Sequence, residues 1–270
     1  MNSDKLAGRI LKELFGSEVE RLSVSTESGK KTPDFFIKYG AATALVEAKL
    51  KNNNPKDIDR RTETLQAGDI YESCHALGRN ETISGIVHRG TQQLKANTVI
   101  EAKFRILLFM MNCINPEAVR DQLIDTLYGK TQVIEMKTSC VKPCYFYRNS
   151  DFYRRKELDA VISSMCGDEN ISPSIIYINT YSSRYQELKE SELLRPFGSN
   201  VLDPIEEEKM GRAYIPDDDI ERTEDKFMQQ FTQHFPALDP VLHHLAKKYK
   251  TGALTRCDFK ALEFSILTDD

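Results

Sequence analysis

Residues 33–49 of the chain read PDFFIKYGAATALVEAK, and this stretch has the pattern of a β-hairpin. Residues Phe35–Tyr39 are rich in aromatic and β-branched side chains, and residues 43–50 form a second, mostly apolar run. Gly40 and Ala41 separate the two runs and can make a two-residue turn. The sequence therefore predicts two antiparallel strands joined by a tight turn.

The register of this hairpin decides which side chains lie together. With the turn centred on residues 40 and 41, Asp34 lies opposite Glu47. Directly opposed residues project to the same face of a sheet, with Cβ atoms about 5 Å apart. Lys49 follows Glu47 by two residues and joins that face. The alternate positions are expected to point into the core: Val46, Ala48 and Leu50.

Two carboxylates and one amine at the open end of a hairpin suggest a particular chemistry. Carboxylates this close repel each other unless a cation lies between them. Oxygen ligands without thiolates or imidazoles suit a hard ion, Mg²⁺ or Mn²⁺. Lys49 can offset negative charge or orient a water molecule. The set is typical of metal-assisted hydrolysis of a phosphodiester.

Pro33-Asp34, twelve intervening residues and Glu47-Ala48-Lys49 resemble the signature of the PD-(D/E)xK nuclease superfamily. Its members include type II restriction endonucleases, Holliday-junction resolvases and recombination exonucleases. The resemblance implies a restriction-endonuclease-like α/β core of helix, three antiparallel strands, helix and strand, with helices flanking a mixed central sheet. It also implies cleavage that depends on Mg²⁺, for which Mn²⁺ substitutes. Asp34, Glu47 and the Ala48 carbonyl would be metal ligands, and Lys49 would lie near the attacking water.

A first helix is predicted before the hairpin, over residues 4–15. Apolar residues recur there at helical spacing, and Glu13 falls at the edge of the apolar stripe. Superfamily members often contribute an acid from this helix to the metal site, so the resemblance makes Glu13 a candidate metal ligand. Glu18 and Glu20 are rival acids in the next segment, and an edge salt bridge is the alternative role for Glu13.

A second helical pattern covers residues 84–97, and Gln93 lies at the edge of its apolar stripe, near Arg89. Gln93-Leu94 is similar to a motif on this helix in the exonuclease-type branch of the superfamily, although Asn97 stands where that branch has Tyr. An amide and a guanidinium near a phosphate would position substrate rather than perform chemistry. Gln93 and Arg89 are therefore candidate substrate-binding residues, and a capped glutamine at the solvent edge is the alternative.

The rest of the chain supplies further elements. Residues 103–111 are strongly apolar and predict a buried strand, which completes the helix, strands, helix and strand order. A helix over Pro116–Tyr128 follows, with Pro in its first turn and Gly after its end. Further strands are expected near residues 132–137, 144–148 and 174–181.

These patterns divide the chain into three parts. Residues 1–183 are assigned to the nuclease-like core. Residues 184–218 are rich in acids and prolines, and we interpret them as an acidic linker or an extended wrap. Residues 219–270 are expected to form a helical C-terminal extension.

Residues 145–156 read YFYRNSDFYRRK and interleave aromatic with basic side chains. Such a segment can stack on bases and bind phosphates. Arg148, Arg154 and Arg155 are therefore candidate nucleic-acid-binding residues. A packed strand followed by a capped, charged helix would have the same composition.

The chain has 270 residues and a formal net charge of −4, so it has no overall basic character. This argues against tight, non-specific coating of nucleic acid but allows a local basic groove. Residues 1–5 lack the layout of a signal peptide, and the longest apolar run is too short to span a bilayer. Six scattered cysteines show no paired framework and no iron–sulfur spacing. We therefore expect a cytoplasmic protein with reduced thiols and no membrane association.

Together the patterns predict a metal-dependent nuclease that hydrolyses phosphodiester bonds. DNA is favoured over RNA as the nucleic-acid partner because most members of the similar superfamily act on DNA, and a homodimer would suit double-strand cutting. Two alternatives stay open: a non-catalytic nucleic-acid-binding or assembly protein with the nuclease fold, and an unrelated α/β protein with a coincidental motif. The presence of Asp34, Glu47 and Lys49 together argues against the non-catalytic alternative.

Overall fold

The computed structural model describes residues 3–22, 33–97, 100–166, 172–222, 234–235 and 238–266. Helices and strands alternate around a seven-stranded mixed sheet, which confirms the α/β class. The described α-helices are α1 (Ser3–Phe15), α2 (Pro55–Gln66), α3 (Glu81–Ala96), α4 (Pro116–Tyr128), α5 (Asp151–Arg154), α6 (Tyr185–Lys189), α7 (Pro204–Lys209) and α8 (Pro240–Lys248). The described strands are β1 (Val19–Arg21), β2 (Phe35–Tyr39), β3 (Ala42–Asn52), β4 (Tyr71–Ala76), β5 (Phe104–Asn112), β6 (Thr131–Glu135), β7 (Cys140–Cys144), β8 (Ala160–Met165), β9 (Ile175–Ile178), β10 (Val201–Leu202), β11 (Leu254–Cys257) and β12 (Lys260–Ser265).

The central sheet has the strand order β1-β2-β3-β5-β8-β9-β10. β1, β2 and β3 are antiparallel neighbours, whereas β3, β5 and β8 run parallel. β9 is antiparallel to β8, and β10 is parallel to β9. α3 precedes β5 in the chain, so it belongs to the crossover between the parallel strands β3 and β5. One helix, three antiparallel strands, a helix and a strand thus follow each other in the expected order, interrupted by α2 and β4.

The hairpin of β2 and β3 has the predicted register. Tyr39 pairs with Ala42, so the turn contains two residues and begins with Gly40. Gly40 has a φ of +58°, a conformation that residues with a side chain adopt at a cost. A Cβ at this position would also collide with the Glu192 carboxylate. Glycine here fixes the register, and a slip by one residue would turn Glu47 to the other face of the sheet.

Helices cover both faces of the central sheet. α1 and α6 pack on one face, together with the 3₁₀ helix Glu192–Phe197, and α3 and α4 pack on the other. On the α1 side Val46 is fully buried, with Ala48 and Leu50 half-buried beside it, which confirms the predicted direction of these three residues. The opposite side of β3, which carries Glu47, is covered as well, because α3 lies over it.

α3 approaches the sheet closely at Gly90. A Cβ at position 90 would lie 2.4 Å from Leu107 Cδ1 on β5 and 3.7 Å from Glu47 Cγ on β3. The first distance is far below normal contact between carbon atoms, which is about 3.5–4.0 Å. Glycine at this position therefore sets how near α3 lies to β3 and β5.

Two smaller sheets complete the described fold. β11, β6 and β7 form a three-stranded sheet, on which α8 packs. β4 and β12 form a two-stranded antiparallel sheet from segments near opposite ends of the chain. Among the described residues, no helix combines the length and the apolar character needed to cross a membrane.

The linker interpretation of residues 184–218 is wrong. α6 and the 3₁₀ helix Glu192–Phe197 contribute Leu188 and Leu193 to the main core, where both are fully buried. β10 pairs with β9 as the edge strand of the central sheet. The core domain therefore extends beyond residue 183.

Two further assignments are corrected. Residues 219–270 are not a purely helical extension, since β11 and β12 follow α8, while residues 223–233 lie outside the described part of the chain. The strand expected near residues 144–148 is β7, which ends at Cys144, and a turn follows it. β8, a central strand of the sheet, was not predicted from the sequence.

Gly90→Ala is expected to destabilise the protein, because the new methyl group must displace Leu107 or lift α3 from the sheet. We expect the free energy of unfolding to fall by about 1–3 kcal/mol, the usual cost of overpacking a core. Gly85→Ala on the same helix is the control. Its Cβ would meet only Arg89 Nη1, at 3.5 Å, within 4 Å, and the better helix former should add about 0.5–1 kcal/mol. Urea unfolding measures both changes, and equal stability of the two variants would contradict the close approach.

Candidate active site

Asp34 lies at the open end of the β2–β3 hairpin. The register sets it opposite Glu47, one residue beyond the last pair of the ladder. Asp34 Oδ2 accepts a hydrogen bond from the Ala48 N–H at 2.8 Å, and the Asp34 main-chain carbonyl accepts one from the Leu22 N–H at 3.0 Å. The N–H and C=O groups of one strand residue point to the same side of the strand. The Ala48 carbonyl therefore faces the side on which the Asp34 carboxylate lies.

Glu47 lies on the face of β3 that α3 covers. Its side chain is only 1% exposed and lies beneath Gly90. A carboxylate removed from water requires an opposite charge or hydrogen bonds in compensation. Lys49 supplies both, because its Nζ donates a hydrogen bond to Glu47 Oε1 at 2.5 Å.

Lys49 also connects the sheet to α3. Its Nζ donates a second hydrogen bond to Gln93 Oε1 at 2.5 Å, so one ammonium group binds a carboxylate on β3 and an amide on α3. The Lys49 side chain is 24% exposed, which places it at the boundary between core and solvent. Arg89 lies exposed one turn before Gln93 on α3. We call Asp34, Glu47, Lys49 and Gln93 the Lys49 cluster; each was singled out from the sequence.

Burial raises the pKa of Asp34 above its ordinary value. The Ala48 N–H and the Lys49 ammonium lower this pKa, but the effect of burial prevails. Asp4 raises the pKa and Arg21 lowers it, and these two residues form an ion pair with each other. The ion pair beside Asp34 was not predicted from the sequence. Its two residues lie on separate elements, α1 and β1, and a single charge on each gives no sign that they meet.

Asp34, Glu47 and Ala48 can offer oxygen atoms to a metal ion. Mg²⁺ in proteins is usually held by one or two carboxylates, with water and substrate phosphates as further ligands, so this donor set fits Mg²⁺ or Mn²⁺. Glu13, the third proposed carboxylate, lies exposed on α1. Within the described ranges, no three or more His, Cys, Asp or Glu side chains are grouped to hold a metal ion. The structure therefore does not bring Glu13 together with Asp34 and Glu47.

The three arginines proposed on residues 145–156 differ in their surroundings. Arg155 Nη1 pairs with Oδ2 of the fully buried Asp151 at 3.0 Å. Arg148 Nη2 lies 3.7 Å from Asp258 Oδ1, and Arg154 is exposed on α5. Arg79 Nη1 also donates a hydrogen bond to Asp151 Oδ1 at 2.9 Å, so Arg155 is one of two cations beside a buried carboxylate, a structural role that explains its position without nucleic acid.

The aromatic side chains of this segment are mostly packed inside the protein. Tyr145, Phe146, Tyr147 and Phe152 are each at most 5% exposed, and Tyr153 is 50% exposed. Buried rings cannot stack on bases, so a stacking role for this segment would fall to Tyr153. The packed alternative therefore explains residues 145–152 better than a nucleic-acid patch does.

No family model matches the chain, and neither a curated protein nor a solved structure is significantly similar to it. The family resemblance therefore depends on the motif residues and on their placement in the fold.

Asp34→Asn is expected to leave the protein at least as stable as the wild type at pH 7. Burial disfavours the ionised carboxyl, and an asparagine oxygen can still accept the hydrogen bond from the Ala48 N–H. Because the pKa of Asp34 is raised in the folded state, the unfolded state loses this proton at lower pH. The carboxyl therefore lowers stability as the pH rises from the ordinary value of 3.8 through the raised pKa. The advantage of the variant should be larger at pH 7 than below that window, as measured by thermal unfolding.

Asp159→Asn is the matched control for this experiment. Asp159 Oδ2 accepts hydrogen bonds from Arg184 Nη2 at 2.9 Å and from the Arg105 N–H at 2.7 Å, and the residue is fully buried. Loss of its charge should cost about 1.5–3 kcal/mol, the usual value of hydrogen bonds to a charged group. Similar losses of stability in both variants would contradict the unfavourable environment inferred for Asp34.

Proposed function

We propose that the chain is a metal-dependent nuclease of the PD-(D/E)xK type that hydrolyses phosphodiester bonds in DNA. The observation that carries the proposal is the Lys49 ammonium, which joins Glu47 on β3 to Gln93 on α3 at the hairpin end where Asp34 lies. The order of helix, three antiparallel strands, helix and strand supports the same assignment. DNA is favoured over RNA because most members of the superfamily that the motif resembles act on DNA.

The residues of the cluster have separate roles in this proposal. Asp34, Glu47 and the Ala48 carbonyl would hold Mg²⁺ or Mn²⁺, which supplies positive charge at the scissile phosphate and a more acidic water. Lys49 would donate a hydrogen bond to the attacking water or to the phosphate oxygen on which negative charge develops. Gln93 would hold the Lys49 ammonium in the orientation that this requires.

The raised pKa of Asp34 is compatible with such a role. Burial makes the ionised form of a carboxyl unfavourable. A buried carboxylate therefore gains more from a neighbouring cation than an exposed one does. A metal ligand must be deprotonated, so metal affinity should fall as the pH decreases through the raised pKa of Asp34.

A non-catalytic nucleic-acid-binding or assembly protein is the second candidate. One observation favours it: Glu13 does not join Asp34 and Glu47, so the described residues provide only two clustered carboxylates. In this reading, the bridge between Glu47 and Gln93 would serve to hold α3 on the sheet. Binding of DNA without cleavage distinguishes this function from the first.

Lys49→Ala is expected to lower cleavage of plasmid, single-stranded and branched DNA by at least about a hundredfold, since it removes the charge beside the reacting phosphate. Lys38→Ala, at an exposed position on the same hairpin, should leave cleavage unchanged. Wild-type cleavage should require Mg²⁺ or Mn²⁺ and stop in EDTA. Gel assays measure cleavage, and circular dichroism verifies folding. A fully active Lys49→Ala protein would refute the assignment, and binding without cutting by the wild type would favour the second candidate.

Gln93→Ala is expected to lower kcat by about a hundredfold, as misplacement of a reacting group by about 1 Å can do. Gln92→Ala is the control, because Gln92 is the exposed neighbour of Gln93 on the same helix. Gln93→Glu should recover activity, since it keeps an acceptor oxygen for the Lys49 ammonium. If Gln93→Ala loses stability but keeps its kcat, Gln93 has only a structural role.

A further inference from the structure

The sheet of β4 and β12 has its apolar side turned to solvent. The outward side chains include four large apolar residues that are 57–66% exposed: Ile70, Leu262, Phe264 and Ile266. Leu262 pairs with Cys74 and Phe264 with Glu72, and opposed residues project to the same face. Ile70 and Ile266 continue this register one residue beyond the ladder, so they share that face.

The inward face of the same sheet is largely polar. It carries Tyr71, which is 4% exposed, Ala261, and four polar side chains: Ser73, His75, Glu263 and Ser265. α2 contacts this side, because Arg61 Nη2 donates to Ser265 Oγ at 3.4 Å and Arg60 Nη2 donates to the Tyr71 hydroxyl at 3.3 Å. An antiparallel sheet with one wet face normally places its polar residues outward and its apolar residues inward. This sheet has the reverse alternation, so its apolar face is the one that is exposed.

We propose that this outer face is the contact surface of a homodimer, in which a second copy of the chain packs on it across a two-fold axis. Four side chains that are more than half exposed present roughly 400 Å² of apolar surface. With the flanking residues of both strands, the face approaches the ~800 Å² that each partner gives to a standard interface.

The charges on the face suit a second copy of the same chain. Glu72 lies opposite Phe264, whereas Lys260 lies opposite Ala76, four residues further along β4. This separation is about 13 Å, so the two charges do not neutralise each other within one copy. With the two-fold axis perpendicular to the strands, the strands of the two copies run in opposite directions, so Lys260 of each copy approaches Glu72 of the other. Self-complementary contacts made twice are characteristic of such dimers.

The inference does not depend on the proposed nuclease activity, and sedimentation velocity tests it directly. The wild type is expected to sediment as a dimer at micromolar concentration. Phe264→Glu should raise the dissociation constant by about thirtyfold or more, as removal of a central contact residue does. Met136→Glu is the control, because Met136 is 62% exposed and follows β6, in the other small sheet. A monomeric wild type at all concentrations, or an equal effect of the control, would overturn the proposal.

Charge reversal tests the predicted contact without removing apolar surface. Lys260→Glu and Glu72→Lys should each weaken the dimer by about tenfold, and the double variant should regain the wild-type affinity. Failure of the double variant to recover would reject the two-fold arrangement. A monomer that binds phosphatidylcholine vesicles through this face would also overturn the proposal, since it would identify a lipid surface as the occupant.

Discussion

Burial of the Glu47 carboxylate beneath α3 is the constraint on which the candidate site depends. α3 can lie directly on β3 because residue 90 has no side chain, and the close approach removes Glu47 from water. A buried carboxylate requires a nearby cation, and Lys49 provides it from the same strand face. The same approach brings Gln93 within reach of Lys49. The distance between α3 and the sheet therefore determines the burial of Glu47, the orientation of Lys49 and the position of Gln93 together.

The parts of the fold that follow from local signals were predictable from the sequence. The hairpin register followed from a two-residue turn with Gly40 in first position, and this register placed Asp34 opposite Glu47. The bounds of α4 followed from Pro116 and Gly129 at its two ends. The grouping of Asp34, Glu47 and Lys49 was therefore a local inference. The contact of Lys49 with Gln93 was not, because it depends on how closely a crossover helix packs.

Long-range packing accounts for what the sequence did not predict. β4 and β12 pair although they lie near opposite ends of the chain, and no local pattern specifies such a partner. Residues 184–218 have the acids and prolines of a linker, yet their short elements bury Leu188 and Leu193. The mixed composition of residues 145–156 suits a nucleic-acid patch and a packed segment equally. Burial alone separates these two interpretations, and for residues 145–152 it favours packing.

The energetics of the Lys49 cluster favour a functional origin over a structural one. β3 is already held by its ladder with β5 along residues 44–52, and Leu45 and Leu107 pack on the face that carries Glu47. An apolar side chain at position 47 would suit these surroundings, and exchange of a buried ion pair for packed apolar groups often leaves stability unchanged or increased. Asp34 adds a second carboxyl, and its burial makes the ionised form unfavourable. Groups that cost stability and lie together at one point of a fold are typical of functional sites. Stability alone therefore does not account for this cluster, and the proposed role in binding a cation and a phosphate would supply the missing reason.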